Sequence, residues 1–288
     1  MVHFFWRGTV SFLDSSLSRE YIKQIGGKYK QYLDEFVKPI RISTCVYDHL
    51  LLENDDLYIT KIIFQQTDLY YCSSKKLTQL YTDDKRFPNP VSTIPDGVDL
   101  SVFKPRNIRR LGDITRRTMR VGWVGNSKWS KSGVTFDLKG IHSVIEPAVD
   151  SLFRKGHDIS LVLADRENKT IPFHEMPDFY AGLDVYCCAS MHEGTPNPVL
   201  EAMACGLPVI STDVGIVPDV FGPLQRQFIL PSRSPDLMAD MLLKLKNDPE
   251  LCCRLSEENL HQIKEWDWSI KVKEFIKFFD ICLGRNIF

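Results

Sequence analysis

Residues 193–215 read EGTPNPVLEAMACGLPVISTDVG, and the rest of the chain is best read outward from them. Two carboxylates, Glu193 and Glu201, stand eight positions apart across a Pro/Asn-punctuated turn that leads into a helix. Asn197 suits the N-cap and Pro198 the first helical position, which puts Glu201 in the first turn and Glu193 on the approach loop. The free N–H groups and the positive dipole end of such a helix point into this loop and favour a phosphate there. Carboxylates accept hydrogen bonds from hydroxyls, while amides take up negative charge. A ligand with both sugar hydroxyls and a diphosphate, such as a nucleotide-sugar, suits the combination.

Around this run, short β-branched segments alternate with helical periods, the pattern of α/β proteins with parallel sheets. Strands are expected at Ile42–Val46, Leu69–Cys72, Val91–Ile94, Arg120–Val124, Ile159–Ala164, Asp184–Cys188 and Pro208–Ser211. Helices fit at Gly140–Arg154, closed by Gly156, at Pro198–Cys205, closed by Gly206, and from Ser234–Pro235 onward. A last helix near Trp268–Leu283 places Trp268, Val272, Phe275, Phe279 and Leu283 on one face. Pro95–Asp96–Gly97 predicts a turn, followed by a basic, irregular stretch, NIRRLGDITRRT.

The 288 residues suffice for one large or two small domains with a substantial core. A content of 43% hydrophobic and 25% charged residues is that of an ordinary globular protein, and a net charge of −1 offers no case for nucleic acid. The eight cysteines show no metal-ligand spacing, so no metal site is expected; buried thiols in a reducing, cytoplasmic setting are. No apolar run approaches the ~18 residues of a membrane span, and no signal peptide is visible. No Gly-x-Gly-x-x-Gly follows a strand, which argues against a Rossmann oxidoreductase.

With EG-x-P-N, LEAM, GLPV and D-V-G around it, the Glu-x7-Glu spacing resembles the signature of family-four retaining glycosyltransferases, the glycosyl transferases group 1, which have the two-domain GT-B fold. The resemblance extends to RVGWVGNSKWSKSGVTFDLKG at 120–140, similar to the first strand and phosphate loop of the donor domain. It includes DFYAGLDVYCCAS at 178–190, DLYYCSS at 68–74, and IPDGVDLSVFKP at 94–105, where the family's N-terminal domain ends. It implies an acceptor-side Rossmann-like domain over 1–105, a nucleotide-sugar domain over 106–267, and a helix over 268–288 that packs back toward the first. MVHFFWR at 1–7 resembles a later strand of the N-terminal domain, so two or three β-α units, roughly 60–100 residues, are expected to be missing from a truncated first domain.

The resemblance also implies roles. Glu201 would accept hydrogen bonds from ribose hydroxyls, and Glu193 would hold the transferred sugar or steady positive charge at its ring. Gly194, Thr195, Pro196 and Asn197 would contribute loop shape and N–H groups. Lys139 would neutralise the leaving diphosphate. After Gly125, where family members often carry an arginine, stands Asn126, so Lys128 or Lys131 would supply compensating charge. His49 lies near the family's N-domain histidine but is displaced by one residue, in the order Asp48–His49.

The expected activity is transfer of a sugar, with retention, from a nucleotide-diphosphate sugar to a glycan or lipid-linked acceptor in surface polysaccharide synthesis, without a metal or other cofactor; no Asp-x-Asp pair is present. Residues 17–37 carry interspersed lysines and apolar residues at near-helical spacing, which fits either a core-packing helix or peripheral membrane contact. An epimerase or phosphorylase of similar build lacks a visible acid–base set or cofactor lysine. An inactive donor-binding fragment is the non-enzymatic alternative.

Overall fold

In the computed structural model, residues 2–4, 42–47, 64, 67–131 and 134–284 are described. The chain separates into two units, one of residues 1–95 with 271–288 and the other of 96–270. The division falls inside IPDGVDLSVFKP, so Asp96–Pro105 lie with the second unit.

In the first unit, β1 (Val2–Phe4), β2 (Ile42–Val46), β3 (Leu69–Cys72) and β4 (Ser92–Thr93) form a parallel sheet in that order. Helix α1 (Lys75–Asp83) starts where the Ser74 hydroxyl accepts from the Leu77 N–H at 3.2 Å, a side-chain cap.

The second unit opens with β5 (Met119–Gly125) and a hairpin of β6 (Trp129–Lys131) and β7 (Val134–Phe136). There follow α2 (Glu146–Arg154), β8 (Ile159–Asp165), α3 (Met176–Ala181), β9 (Val185–Cys188), α4 (Asn197–Ala204), β10 (Val209–Thr212), α5 (Val217–Val220) and β11 (Ile229–Leu230). Helices α6 (Pro235–Asn247) and α7 (Pro249–Gln262) complete it. Its parallel sheet has the order β11-β10-β9-β5-β8. Alternation along β9 separates two cores: Val185 and Cys187 join one with α2, α6 and α7, while Tyr186 and Cys188 join another with α3 and α4. Successive crossovers leave β5 on opposite sides, first to β8 and then to β9. The strand order therefore reverses beside β5, and the C-terminal ends of β5 and β9 form the topological switch point where open α/β sheets bind ligands.

Three local expectations are corrected. The stretch 107–118 is not irregular, because Ile108–Arg116 forms a 3-10 helix that buries Leu111 and Ile114. Its basic residues have a buried acceptor: Asp184 pairs with Arg110 at 2.9 Å and with Arg117 at 2.6 Å. Pro95–Asp96–Gly97 is not a turn. The Val98 N–H donates to the Trp266 carbonyl at 2.9 Å, and its carbonyl accepts from Trp268 N–H at 3.1 Å, which holds the backbone extended. The last helix, α8 (Trp268–Cys282), buries Phe278 and Cys282 rather than the predicted stripe, leaving Trp268, Val272 and Leu283 exposed. Apolar residues also occupy 270, 276, 278 and 281, so periodicity alone did not single out one face. Phe275 and Phe278 stack edge-on against Tyr71 of β3. The expectation for the cysteines holds: all eight are free thiols, and only Cys253 is less than fully buried.

Candidate active site

Four loop segments meet around the exit of β9. A turn at 137–140 precedes the helical segment that starts with a π-turn at Ile141–Ile145 and continues as α2. Gly140 has φ +70°, and a Cβ there would lie 2.2 Å from the Ala189 carbonyl oxygen, so only glycine permits the approach. Met191 N–H donates to the Leu138 carbonyl at 2.8 Å. Arg233 fastens both loops from below β11, donating to the carbonyls of Ala189 at 2.9 Å and Asp137 at 2.6 Å. The Asp137 carboxylate accepts from the N–H groups of Ile141 and Ser143, which caps the helical segment. On the β10 side, Gly215 has φ +49°, and a Cβ there would be 1.9 Å from the Gly194 carbonyl; Ile216 N–H bonds that same oxygen at 3.1 Å.

This packing brings Lys139 and Glu193 together. Lys139 Nζ lies 2.5 Å from Glu193 Oε1, which also accepts from the Ser190 hydroxyl at 2.7 Å. The two side chains are 26% and 16% exposed, enough for a ligand to reach them. Glu201 belongs to a separate arrangement: its Oε2 accepts from the Tyr180 hydroxyl at 2.7 Å. Burial raises the Glu201 carboxyl above its ordinary range, and the Tyr180 hydrogen bond and the Arg166 charge oppose that in part.

Asn197 is not the N-cap. Helix α4 begins at Asn197 itself, Pro196 precedes it without a side-chain cap, and Glu201 falls at the fifth helical residue rather than in the first turn. Asn197 Nδ2 instead donates to Asp96 Oδ2 at 3.4 Å, and Asp96 N–H donates to Thr195 Oγ1 at 3.1 Å. The reach to Asp96 draws the Asn197 amide away from the helix end. The loop is thereby braced by a residue about a hundred positions earlier.

At the exit of β5, Asn126 Oδ1 accepts from Lys128 N–H at 2.8 Å, a local turn. Ser127 donates through its N–H and hydroxyl to the Asp165 carboxylate at the end of β8, at 3.1 and 2.6 Å. Burial would raise the Asp165 carboxyl, but the Ser127 bonds outweigh it and hold the group below its ordinary value. Gly125 packs against the Trp123 ring, where a Cβ would stand 2.6 Å away. Lys128 is exposed. His49 and residues 17–37 lie outside the described residues, as does the side chain of Lys131.

Ser190, Arg233, Tyr180, Asp96 and Asp165 were not singled out in the sequence. Ser190 bonds Glu193 three positions on, while the others act on partners distant in the chain, and no local spacing marks such bonds. Among the described residues, no helix is long and apolar enough to cross a membrane.

Residues 169–262 match the sequence profile of the family described as glycosyl transferases group 1. That segment belongs to the group 1 glycosyltransferases. The chain is 23% identical over 249 residues to an MMP alpha-(1->4)-mannosyltransferase of Mycolicibacterium hassiacum, an alignment covering 78% of this chain and 56% of that protein. It thus spans about half the length, or less, of the curated relatives it matches. Among solved structures, sucrose-phosphate synthase of Thermosynechococcus elongatus superposes with a TM-score of 0.65 at 15% identity, over 94% of this chain and 80% of that one. HepE of Anabaena, crystallised with UDP, gives 0.66 at 13% identity, over 87% and 75%. The fold is GT-B, and the group 1 segment runs from the end of β8 through α7, with Glu193, Glu201 and Tyr180 inside it.

Proposed function

We propose that this chain is a retaining glycosyltransferase that moves a sugar from a nucleotide-diphosphate sugar to a glycan or lipid-linked acceptor in surface polysaccharide synthesis. The observation that carries the reading is the Lys139–Glu193 pair at the switch point, beside a helix whose fifth residue is Glu201. The unit of residues 1–95 with 271–288 would serve the acceptor, and the unit that holds Glu193 would bind the donor.

In this reading Glu201 accepts hydrogen bonds from the ribose hydroxyls. Gly194, Thr195, Pro196 and Asn197 shape the loop, and the N–H groups of Gly194, Thr195 and Asn197 together with Gly125 and Asn126 border the phosphates. The bond from the sugar's anomeric carbon to the diphosphate oxygen breaks, and its electron pair leaves with the diphosphate. A new bond forms from that carbon to an acceptor hydroxyl on the same face, whose proton departs with the leaving phosphate. Lys139 turns from Glu193 to the diphosphate as charge builds there, and the freed Glu193 carboxylate faces the positive charge at the sugar ring. The reading assigns no step to a metal. Contact with a membrane would be peripheral, through the acceptor side.

Calorimetric titration of the 288-residue chain with UDP, GDP, ADP and their sugars, beside Glu201→Ala, is the test. Selective binding lost in the variant supports a donor site and names the nucleotide. A folded chain that binds none of them refutes the proposal, and binding without turnover on acceptor extracts favours the donor-binding fragment.

A further inference from the structure

We infer that Tyr180 is a positioning residue for the donor, holding the Glu201 carboxylate by one oxygen so that the other faces the nucleotide's hydroxyls. The inference rests on the donor-site reading above. Tyr180 is fully buried on α3, and its hydroxyl donates to Glu201 Oε2 at 2.7 Å. Among the described residues Glu201 Oε1 accepts no bond, so the carboxylate is committed on one side and available on the other.

A buried tyrosine hydroxyl needs a hydrogen-bond partner, and here that partner is the carboxylate of Glu201 rather than a backbone carbonyl. Here the ring is fixed by three edge-on neighbours: Phe103 at 6.0 Å, Phe179 at 5.6 Å and Tyr186 at 6.1 Å. Phe103 comes from the segment after Asp96, so the stretch that braces the Thr195–Asn197 loop also cages the ring that holds Glu201. A buried hydroxyl aimed by a rigid ring at a half-buried carboxylate fixes the rotamer of that carboxylate before the ligand arrives. Such preorganisation lowers the ordering cost of binding. The groups facing Glu201 are Tyr180, the Arg166 charge, and the nearby Tyr186 and Cys205. Of these, Tyr180 alone hydrogen-bonds it.

The test is Tyr180→Phe, which keeps the ring and removes only the donor. Binding of UDP, GDP and ADP is measured in parallel by calorimetry, and the Glu201 carboxyl is titrated by carbon-13 NMR in both proteins. The expected result is roughly tenfold weaker binding of the nucleotide that wild type selects, the scale of a lost hydrogen bond to a charged group, with the Glu201 midpoint moved upward. Equal binding and an unmoved midpoint would overturn the inference and leave the donor site standing. Wild type that binds no nucleotide while the midpoint still moves would overturn the donor-site reading, and the positioning role with it. If Tyr180→Phe does not fold, the double variant Tyr180→Phe/Glu201→Gln decides. Its recovery would show that the defect was a carboxylate stripped of its donor. Its failure would reduce Tyr180 to a packing residue and overturn the inference.

Discussion

Gly140 and Gly156 offer a matched pair of substitutions that isolates the packing on which the site depends. Both glycines sit in the left-handed region, at φ +70° and +88°. Replacing either by alanine costs about 1–2 kcal/mol of backbone strain, and both lose the same unfolded-state entropy, so these contributions cancel between the two. They differ in surroundings. Nothing lies within 4 Å of a Cβ at Gly156, whereas at Gly140 it meets the Ala189 carbonyl oxygen at 2.2 Å and the Ala189 Cβ at 2.7 Å. Relief requires about 1 Å of backbone movement, and overpacking of this kind costs roughly 1–3 kcal/mol. Gly140→Ala should therefore be less stable than Gly156→Ala by about 2 kcal/mol, a separation of about 1 M in urea midpoint.

The same movement separates the Lys139 turn from the Glu193 loop, since Ala189 and Leu138 join them through Arg233 and the Met191 N–H. Nucleoside diphosphate binding should weaken in Gly140→Ala and stay at the wild-type level in Gly156→Ala. Equal urea midpoints and equal affinities in the two variants would refute the claim that close approach at Gly140 builds the site.

Three further outcomes are expected. Lys139→Met leaves Glu193 with Ser190 as its only bonded partner among the described residues and removes charge from the leaving group, so sugar transfer should fall by roughly 10²–10³, measured as kcat with saturating donor; an unchanged kcat would exclude Lys139 from the chemistry. Glu201 has a folded-state pKa raised above 4.5, by burial first, so the native chain holds its proton over a wider range than the unfolded chain. Its contribution to stability is full below 4.5 and is lost as pH rises through the folded value, while nucleotide affinity rises over the same window; Glu201→Gln should flatten both profiles, and persistence of either would assign it elsewhere. Asp184→Ala leaves Arg110 and Arg117 without their buried acceptor and should cost about 3 kcal/mol, read as a melting temperature lower by roughly 6–12 °C; a change under about 2 °C would show that the arginines find other partners.

What could be read from the chain was what periodicity and punctuation encode. All seven expected strands form, because β-branched runs bounded by turn residues leave few alternatives, and Gly156 and Gly206 close their helices with positive φ. The misreadings share a cause. Asn197, Pro95–Gly97 and residues 107–118 have strong local preferences, for a cap, a turn and a loop, and each is overridden by a distant partner: Asp96, Trp266 and Asp184. A hydrogen bond across a hundred residues leaves no trace in local spacing, so local preference decides only where no such partner competes.

The same distinction separates the parts of the candidate site. Glu193, Glu201 and Lys139 were visible because each sits in a stretch whose neighbours constrain it. The residues that hold them were not: Tyr180 and Arg233 act through one hydroxyl or one guanidinium aimed across the fold, and Ser190 through a hydroxyl three positions before Glu193 that no motif marks. Geometry then adds a constraint that no motif carries: Lys139 and Glu193 neutralise each other when no ligand is bound. An anionic diphosphate must compete with Glu193 for that ammonium, and the Ser190 hydroxyl still bonds the carboxylate when the lysine turns away. A free sugar, being uncharged, has nothing with which to win this exchange. It should therefore leave the pair closed, and a nucleoside diphosphate should open it.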